Sequence, residues 1–92
     1  MIEKGMVVRS KAGHDRGGFF LVMETEGDFA LLADGKNRPL DRQKRKRKKH
    51  LAETLVRIDP GCVKTDRQLR RALAKWNGGP DSEKEESDLG QR

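Results

Sequence analysis

The densest chemistry in the sequence is cationic. Arg42-Gln43-Lys44-Arg45-Lys46-Arg47-Lys48-Lys49 carries seven positive charges in eight residues. Charges this close repel one another, so the segment is expected to stay extended and mobile until it meets a polyanion. Six phosphate contacts from it would give a log–log salt slope of roughly −4 to −5, with little sequence preference. A solvated, solubilising run is the plainer use of the same residues. A second basic stretch, Lys11-Ala12-Gly13-His14-Asp15-Arg16-Gly17-Gly18, mixes cations with three glycines. Glycine lets the backbone approach a phosphate closely, and Lys11 and Arg16 can neutralise it. The same glycines serve equally well as positive-φ turn residues. Gly13 and Gly18 are spaced like the first two glycines of an ATP-type phosphate cradle, but Phe19 stands where its lysine belongs.

Other reactive residues are sparse. Asp15 would repel a phosphate, so it is expected to cap loop amides or pair with Arg16. His14-Asp15 resembles a metal-hydrolase dipeptide only superficially, because that chemistry needs several more ligands and His50 is the only other histidine. Cys62 is expected to be a small buried hydrophobe, since no His–Asp arrangement surrounds it. No catalytic residue, metal or cofactor is therefore expected, and the chain is read as non-catalytic. Phe19, Phe20, Phe29 and Trp76 are the only residues able to stack on a base. Alternation places one of Phe19 and Phe20 inward and the other outward, while Phe29 and Trp76 are expected in the core. So few aromatics fit recognition of folded RNA by backbone and shape better than a single-strand stacking platform.

These groups need a scaffold, and the sequence punctuates one. Residues 6–10 read as a strand, 11–18 as a loop and 19–24 as a second strand rich in aromatic and aliphatic residues. Glu26-Gly27-Asp28 is a turn, and 29–33 is a third strand. Asp34-Gly35 predicts a tight hairpin, followed by a short fourth strand ending near Leu40, which Pro39 confines to an edge. Residues 50–54 read as a fifth strand, with an amphipathic helix through Leu51, Leu55 and Ile58 as the competing reading. Asp59-Pro60-Gly61 turns the chain. Residues 66–77 read as a helix: Thr65 is a good N-cap, Gln68 stands at the capping-box position, and Leu69, Ala72, Leu73 and Trp76 share one face. Arg67, Arg70, Arg71 and Lys75 flank that face, either contacting a polyanion or solvating the helix. Gly78-Gly79-Pro80 stops the helix, and the acidic remainder reads as disordered.

Ninety-two residues make at most one domain. Only 33% of them are apolar and 39% are charged, so a large enclosed active site is not expected. The longest apolar run, Phe19–Met23, is far short of the ~20 residues that span a bilayer. Residues Met1–Gly5 lack the features of a signal peptide, and one cysteine makes no internal disulfide; a cytoplasmic location is expected. The net charge is +6, yet without residues 80–92 it becomes +9 on 79 residues. Such a surface favours a polyanion. The basic block contains no apolar residue to insert, so a membrane role would rest on charge alone.

The expected fold class is mainly β. A small, strongly bent antiparallel barrel of about five strands solves the edge problem of so short a sheet. Residues 1–58 form this barrel, including the basic segment 42–49. A turn and one C-terminal α-helix occupy 59–79, and a disordered acidic tail 80–92.

Gly5 through Met23 (G-M-V-V-R-S-K-A-G-H-D-R-G-G-F-F-L-V-M) resembles a KOW motif. The continuation F-A-L-L-A-D-G-K, Phe29–Lys36, is similar to one subset: the archaeal and eukaryotic large-subunit ribosomal protein numbered fourteen, and the short bacterial KOW-domain proteins that share these segments. K-K-H-L at Lys48–Leu51 and T-D-x-x-L-R-x-A-L at Thr65–Leu73 also look like that bacterial group. The resemblance implies an SH3-like barrel that binds structured RNA, usually ribosomal RNA, through its strand 1–strand 2 loop and neighbouring basic surface. By position, Ser10, Lys11, Gly13, Asp15 and Gly17 correspond to that loop.

The candidate RNA-binding set is thus Ser10, Lys11, Gly13, His14, Arg16, Lys36, Arg38, Arg42, Lys44, Arg45, Lys46, Arg47, Lys48 and Lys49. The expected partner is ribosomal RNA, in the setting of the large ribosomal subunit, with no small-molecule substrate and no membrane. A monomer is expected. The alternative is a protein-interaction module of the translation or transcription machinery that binds an acidic partner. The acidic tail is either an inert terminus or a competitor of RNA for the basic block. In the second case, deleting residues 80–92 tightens RNA binding at low salt, and a titration in which the full and shortened chains bind equally removes that role.

Overall fold

The computed structural model describes residues 1–14 and 16–77. The readings of Asp15, of the Gly78-Gly79-Pro80 stop and of the acidic tail lie outside them. The chain is mainly β, with five antiparallel strands in one sheet and a single α-helix. The strands are β1 (Met6–Ser10), β2 (Phe19–Glu26), β3 (Phe29–Ala33), β4 (Lys44–Arg47) and β5 (Leu51–Arg57), followed by α1 (Asp66–Asn77). The spatial order is β4-β3-β2-β1-β5. The outermost strands, β4 and β5, are joined by a single 3-10 turn, Lys48–His50.

That connection forces the sheet to curl. A flat sheet would separate β4 from β5 by four strand spacings, about 19 Å. The four steps from Arg47 to Leu51 reach only about 14 Å when fully extended. The corner is tied to both sides: the Lys48 amide donates to the Asp28 carbonyl at 2.8 Å, and the Lys11 amide donates to the His50 carbonyl at 2.8 Å. The result is a small, barrel-like fold.

The inner face of the curled sheet is filled, and part of its outer face is covered. Ile2, Met6, Val8, Phe20, Val22, Ala30, Leu32 and Leu51 fill the interior. Val7, Leu21 and Ala33 point outward, where Leu69 and Leu73 of α1, with Val63, bury them. This explains why β1 and the first half of β2 read as apolar runs rather than as alternating strands. Phe20 is interior, whereas Phe19 lies outside and packs on Trp76 with ring centroids 6.2 Å apart.

The helix begins as its cap predicts. The Gln68 amide donates to Thr65 Oγ1 at 3.1 Å, while Gln68 Oε1 accepts from the Lys64 amide at 2.8 Å, one residue earlier than in the standard box. At the far end, Asn77 clasps β2: its Oδ1 accepts from the Phe19 amide at 2.8 Å and its Nδ2 donates to the Phe19 carbonyl at 3.0 Å.

Residues 50–58 resolve in favour of strand β5. Four expectations are corrected. Asp34-Gly35 does not close a tight hairpin, and no strand ends near Leu40. Asp34 Oδ1 instead accepts from the Lys36 and Arg38 amides at 2.9 and 2.8 Å, which folds residues 34–43 into an irregular connection. The fourth strand lies inside the basic block, which is therefore ordered in its centre rather than mobile throughout. Cys62 is exposed, within 3.8 Å of the Asp59 carboxylate, because its short 3-10 turn sits at the surface.

Helix α1 pins the 34–43 connection. Asp66 Oδ1 accepts from the Leu40 amide at 2.7 Å, and Arg70 Nη1 donates to the Gly35 carbonyl at 2.9 Å. Gly35 has φ +80°, and a Cβ there would collide with the Asp66 carbonyl oxygen and the Arg70 amide nitrogen. Gly27, at φ +58°, faces open space. Urea unfolding should therefore show Gly27→Ala costing about 1–2 kcal/mol for backbone strain alone. Gly35→Ala should cost roughly 2 kcal/mol more for overpacking.

Candidate nucleic-acid interface

The β1–β2 loop is built around one carbonyl. Ser10 Oγ donates to the Ala12 carbonyl at 3.1 Å, and Lys46 Nζ of β4 donates to the same oxygen at 2.8 Å. The loop closes through Gly17 N to Ser10 O at 2.8 Å, Ser10 N to Gly18 O at 2.9 Å and Arg16 N to Gly13 O at 3.2 Å. Gly13 and Gly17 have φ of 81° and 90°, so both serve as turn residues. A Cβ on Gly13 would come within 3.3 Å of Lys46 Nζ. Lys46 thus joins the loop to the basic strand, although 34 residues separate it from Ala12.

Strand pairing sorts the charges of β4. Phe29 pairs with Arg47 and Leu31 with Arg45, whereas Ala30 pairs with Lys46 and Leu32 with Lys44. Arg45 and Arg47 consequently share the outer face with Phe29, and their guanidinium carbons lie 3.8 and 4.9 Å from its ring centroid. Each such contact is worth about 0.5–1 kcal/mol at an exposed site. Its larger consequence is to hold two guanidiniums in place. Phe29 is half-buried rather than in the core, because it carries these two arginines. Arg45 also pairs with Glu26 at 3.3 Å, both side chains being more than half exposed, so this ion pair contributes little to stability. Lys44 and Lys46 lie on the face of the buried Ala30 and Leu32 and are half-buried, their stems covering the barrel mouth.

The remaining candidates fall into place around these. Lys11, His14, Arg16, Lys36, Arg42 and Lys49 are exposed, while Lys48 and Arg38 are half-buried. Lys48 and Lys49 line a shallow groove with Asp28 and Arg47. Arg42 lies in the turn where its amide donates to the Pro39 carbonyl at 3.0 Å. Ser10 is a correction: its side chain is fully buried and shapes the loop from inside, so it offers no surface to RNA.

On the other side of the loop lies a cleft of about 250 Å³. His14 and Arg16 come to it from the loop, Lys36 from the β3–β4 connection, and Arg70 from α1, above a floor that includes Phe20 and Ala74. In the sequence Arg70 is one of four basic residues flanking the apolar face of the helix, open to polyanion contact or to plain solvation. No local signal brings it to the loop, since three segments distant in sequence meet there. The loop therefore stands between two cationic regions, with Lys46 on one side and this cleft on the other.

Among the described residues, no helix is long and apolar enough to cross a membrane, and no three His, Cys, Asp or Glu side chains group as metal ligands would. No protein-family model matches the chain, and neither does any curated protein.

The Lys46–Ala12 bond gives a structural prediction. Lys46→Met keeps the stem but removes the donor. It should cost about 1–3 kcal/mol, as for a partly buried charged hydrogen bond, and speed amide hydrogen exchange at Arg16 and Gly17. Lys49→Met, at an exposed position, should change neither.

Proposed function

We propose that this chain is a non-catalytic RNA-binding barrel that docks on structured RNA, ribosomal RNA in particular, with the β1–β2 loop setting the geometry and β4 supplying affinity. The observation that carries this reading is the junction of the two basic segments. Lys46 Nζ holds the Ala12 carbonyl at 2.8 Å, so the glycine-bearing loop is fastened to β4, the strand whose other face carries Arg45 and Arg47.

Three further features support it. The cations are ordered before any partner arrives: Arg45 and Arg47 rest on Phe29. A guanidinium held in this way presents its N–H edge to a phosphate at a smaller entropic cost than a free side chain. The exposed glycines of the loop admit close approach of a backbone. The KOW-like pattern of Gly5–Met23 and Phe29–Lys36 agrees with the same use of the loop. On this reading the contacts address phosphates and shape, and the protein acts in the cytoplasm beside the large ribosomal subunit.

The reading is tested by titrating a structured ribosomal RNA fragment over a range of salt. The double variant Arg45→Gln/Arg47→Gln should weaken binding and make the log–log salt slope shallower by roughly 1.4–1.8, the share of two phosphate contacts. In a sucrose gradient of a gentle lysate, the protein should travel with the large subunit and leave it at high salt. Co-migration that survives RNase would point instead to direct binding of an acidic protein partner, and binding that ignores the double variant would count against both readings.

A further inference from the structure

The cleft beside the loop holds more than the docking surface requires. A site that only touches duplex phosphates needs no concavity. This one is about 250 Å³, below the usual range of small-molecule pockets yet several times the space of a single water. Its walls are unlike one another. The loop and the β3–β4 connection bring Arg16 and Lys36, both exposed, to the rim. The floor includes Ala74, 9% exposed, and Phe20, 3% exposed. Asp34 also lines it, with Oδ1 accepting from the Lys36 and Arg38 amides, and so does the exposed Asn37.

A phosphate alone is a poor occupant, because the Asp34 carboxylate would repel it. A duplex does not enter a space of this size. A nucleobase satisfies every wall: its flat apolar face lies against Ala74 and Phe20, and its ring and exocyclic N–H groups meet a carboxylate and an amide. Its own phosphate remains at the rim with Arg16 and Lys36. Reading an unstacked base by stacking against apolar side chains and by hydrogen bonds to its edge is the general means of recognising bulges and loops in folded RNA.

We infer that the cleft between the β1–β2 loop, residues 34–37 and α1 takes one unstacked nucleotide of the bound RNA. This rests on the RNA-binding reading and deepens it: β4 and the loop grip the backbone, and the cleft selects RNA that can offer an extruded base. The first residue of β2 fixes the spacing of its parts, since Asn77 clasps the Phe19 backbone and so holds the end of α1 against the loop.

The experiment compares three ligands by fluorescence anisotropy and direct competition. These are a flush RNA duplex, the same duplex with a single-nucleotide bulge, and free nucleoside 5′-monophosphates. The bulged duplex should bind about tenfold or more tightly than the flush one, the gain expected of one seated base. Ala74→Leu, which fills the floor, and Asn37→Ala, at an exposed position, should each lower that ratio while flush-duplex affinity is unchanged. Asn37→Ala keeps the test decisive should Ala74→Leu unfold the helix. Equal binding of flush and bulged duplexes overturns the inference and leaves the RNA-binding reading standing. Binding of neither overturns both. A bulge preference that survives both variants places the extruded base elsewhere, and free monophosphates binding as tightly as bulged RNA show a nucleotide site unconnected with RNA; either result overturns the inference.

Discussion

The corner at Lys48–His50 is the constraint on which the molecule depends. It carries the chain from one edge of the five-stranded order to the other in three residues, and only a curled sheet permits that. Curling brings the two ends of the sequence pattern together. The loop after β1 and the strand β4 are far apart in the chain, but they meet at the mouth of the barrel, where Lys46 reaches Ala12. The same curl buries two faces with few apolar residues. Val8 and Val22 point into the barrel, while Val7 and Leu21 point out and require α1 over them. The helix is therefore part of the core rather than an appendage.

Helix α1 also governs the cationic side of the molecule. Its first turn sits on Gly35 and its Asp66 carboxylate holds Leu40, which fixes the connection carrying Lys36 and Arg38. Its last residue holds the start of β2. Between these ends Arg70 and Ala74 face the loop. One element thus spaces Lys36 relative to His14 and Arg16, and a loss of packing at Leu69 or Leu73 would be felt at the cleft as well as in stability.

What the sequence made legible was local. The bounds of β1, β3 and α1 and the loop at 11–18 follow from apolar runs, glycines and a cap, all signals that act within a few residues, while alternation set one of Phe19 and Phe20 inward without saying which. What it hid was nonlocal. Nothing in Lys44-Arg45-Lys46-Arg47 favours a strand on propensity. These residues form one because β3 offers an open edge and because an edge strand may keep its charges in water. Asp34-Gly35 carries the chemistry of a tight hairpin, but its glycine is used to admit a helix that begins more than thirty residues later. Phe29 looks like core by type, and it is the platform for two arginines. In the sequence the candidate site is a list of cations with Ser10, Gly13 and His14 among them. The fold divides that list into a buried shaper (Ser10), a tether (Lys46), a stacked pair (Arg45 and Arg47) and a cleft to which Arg70 is added.

That division changes what the charge can do. A mobile run of seven cations would bind any polyanion, with affinity set by salt and charge density alone. Ordering its centre as a strand sends alternate side chains to opposite faces, so half of the β4 charge covers the barrel mouth and only Arg45 and Arg47 face outward, about 6.6 Å apart along the strand. Affinity drawn from raw charge falls, and what remains is attached to a fixed frame shared with the loop. On the proposed RNA-binding reading, a surface of this kind distinguishes its partners by whether their phosphates match the frame. Under that proposal, selectivity for shape over sequence follows from placing the basic segment in the sheet, and it depends on the edge pairing of β4 more than on the number of its lysines and arginines.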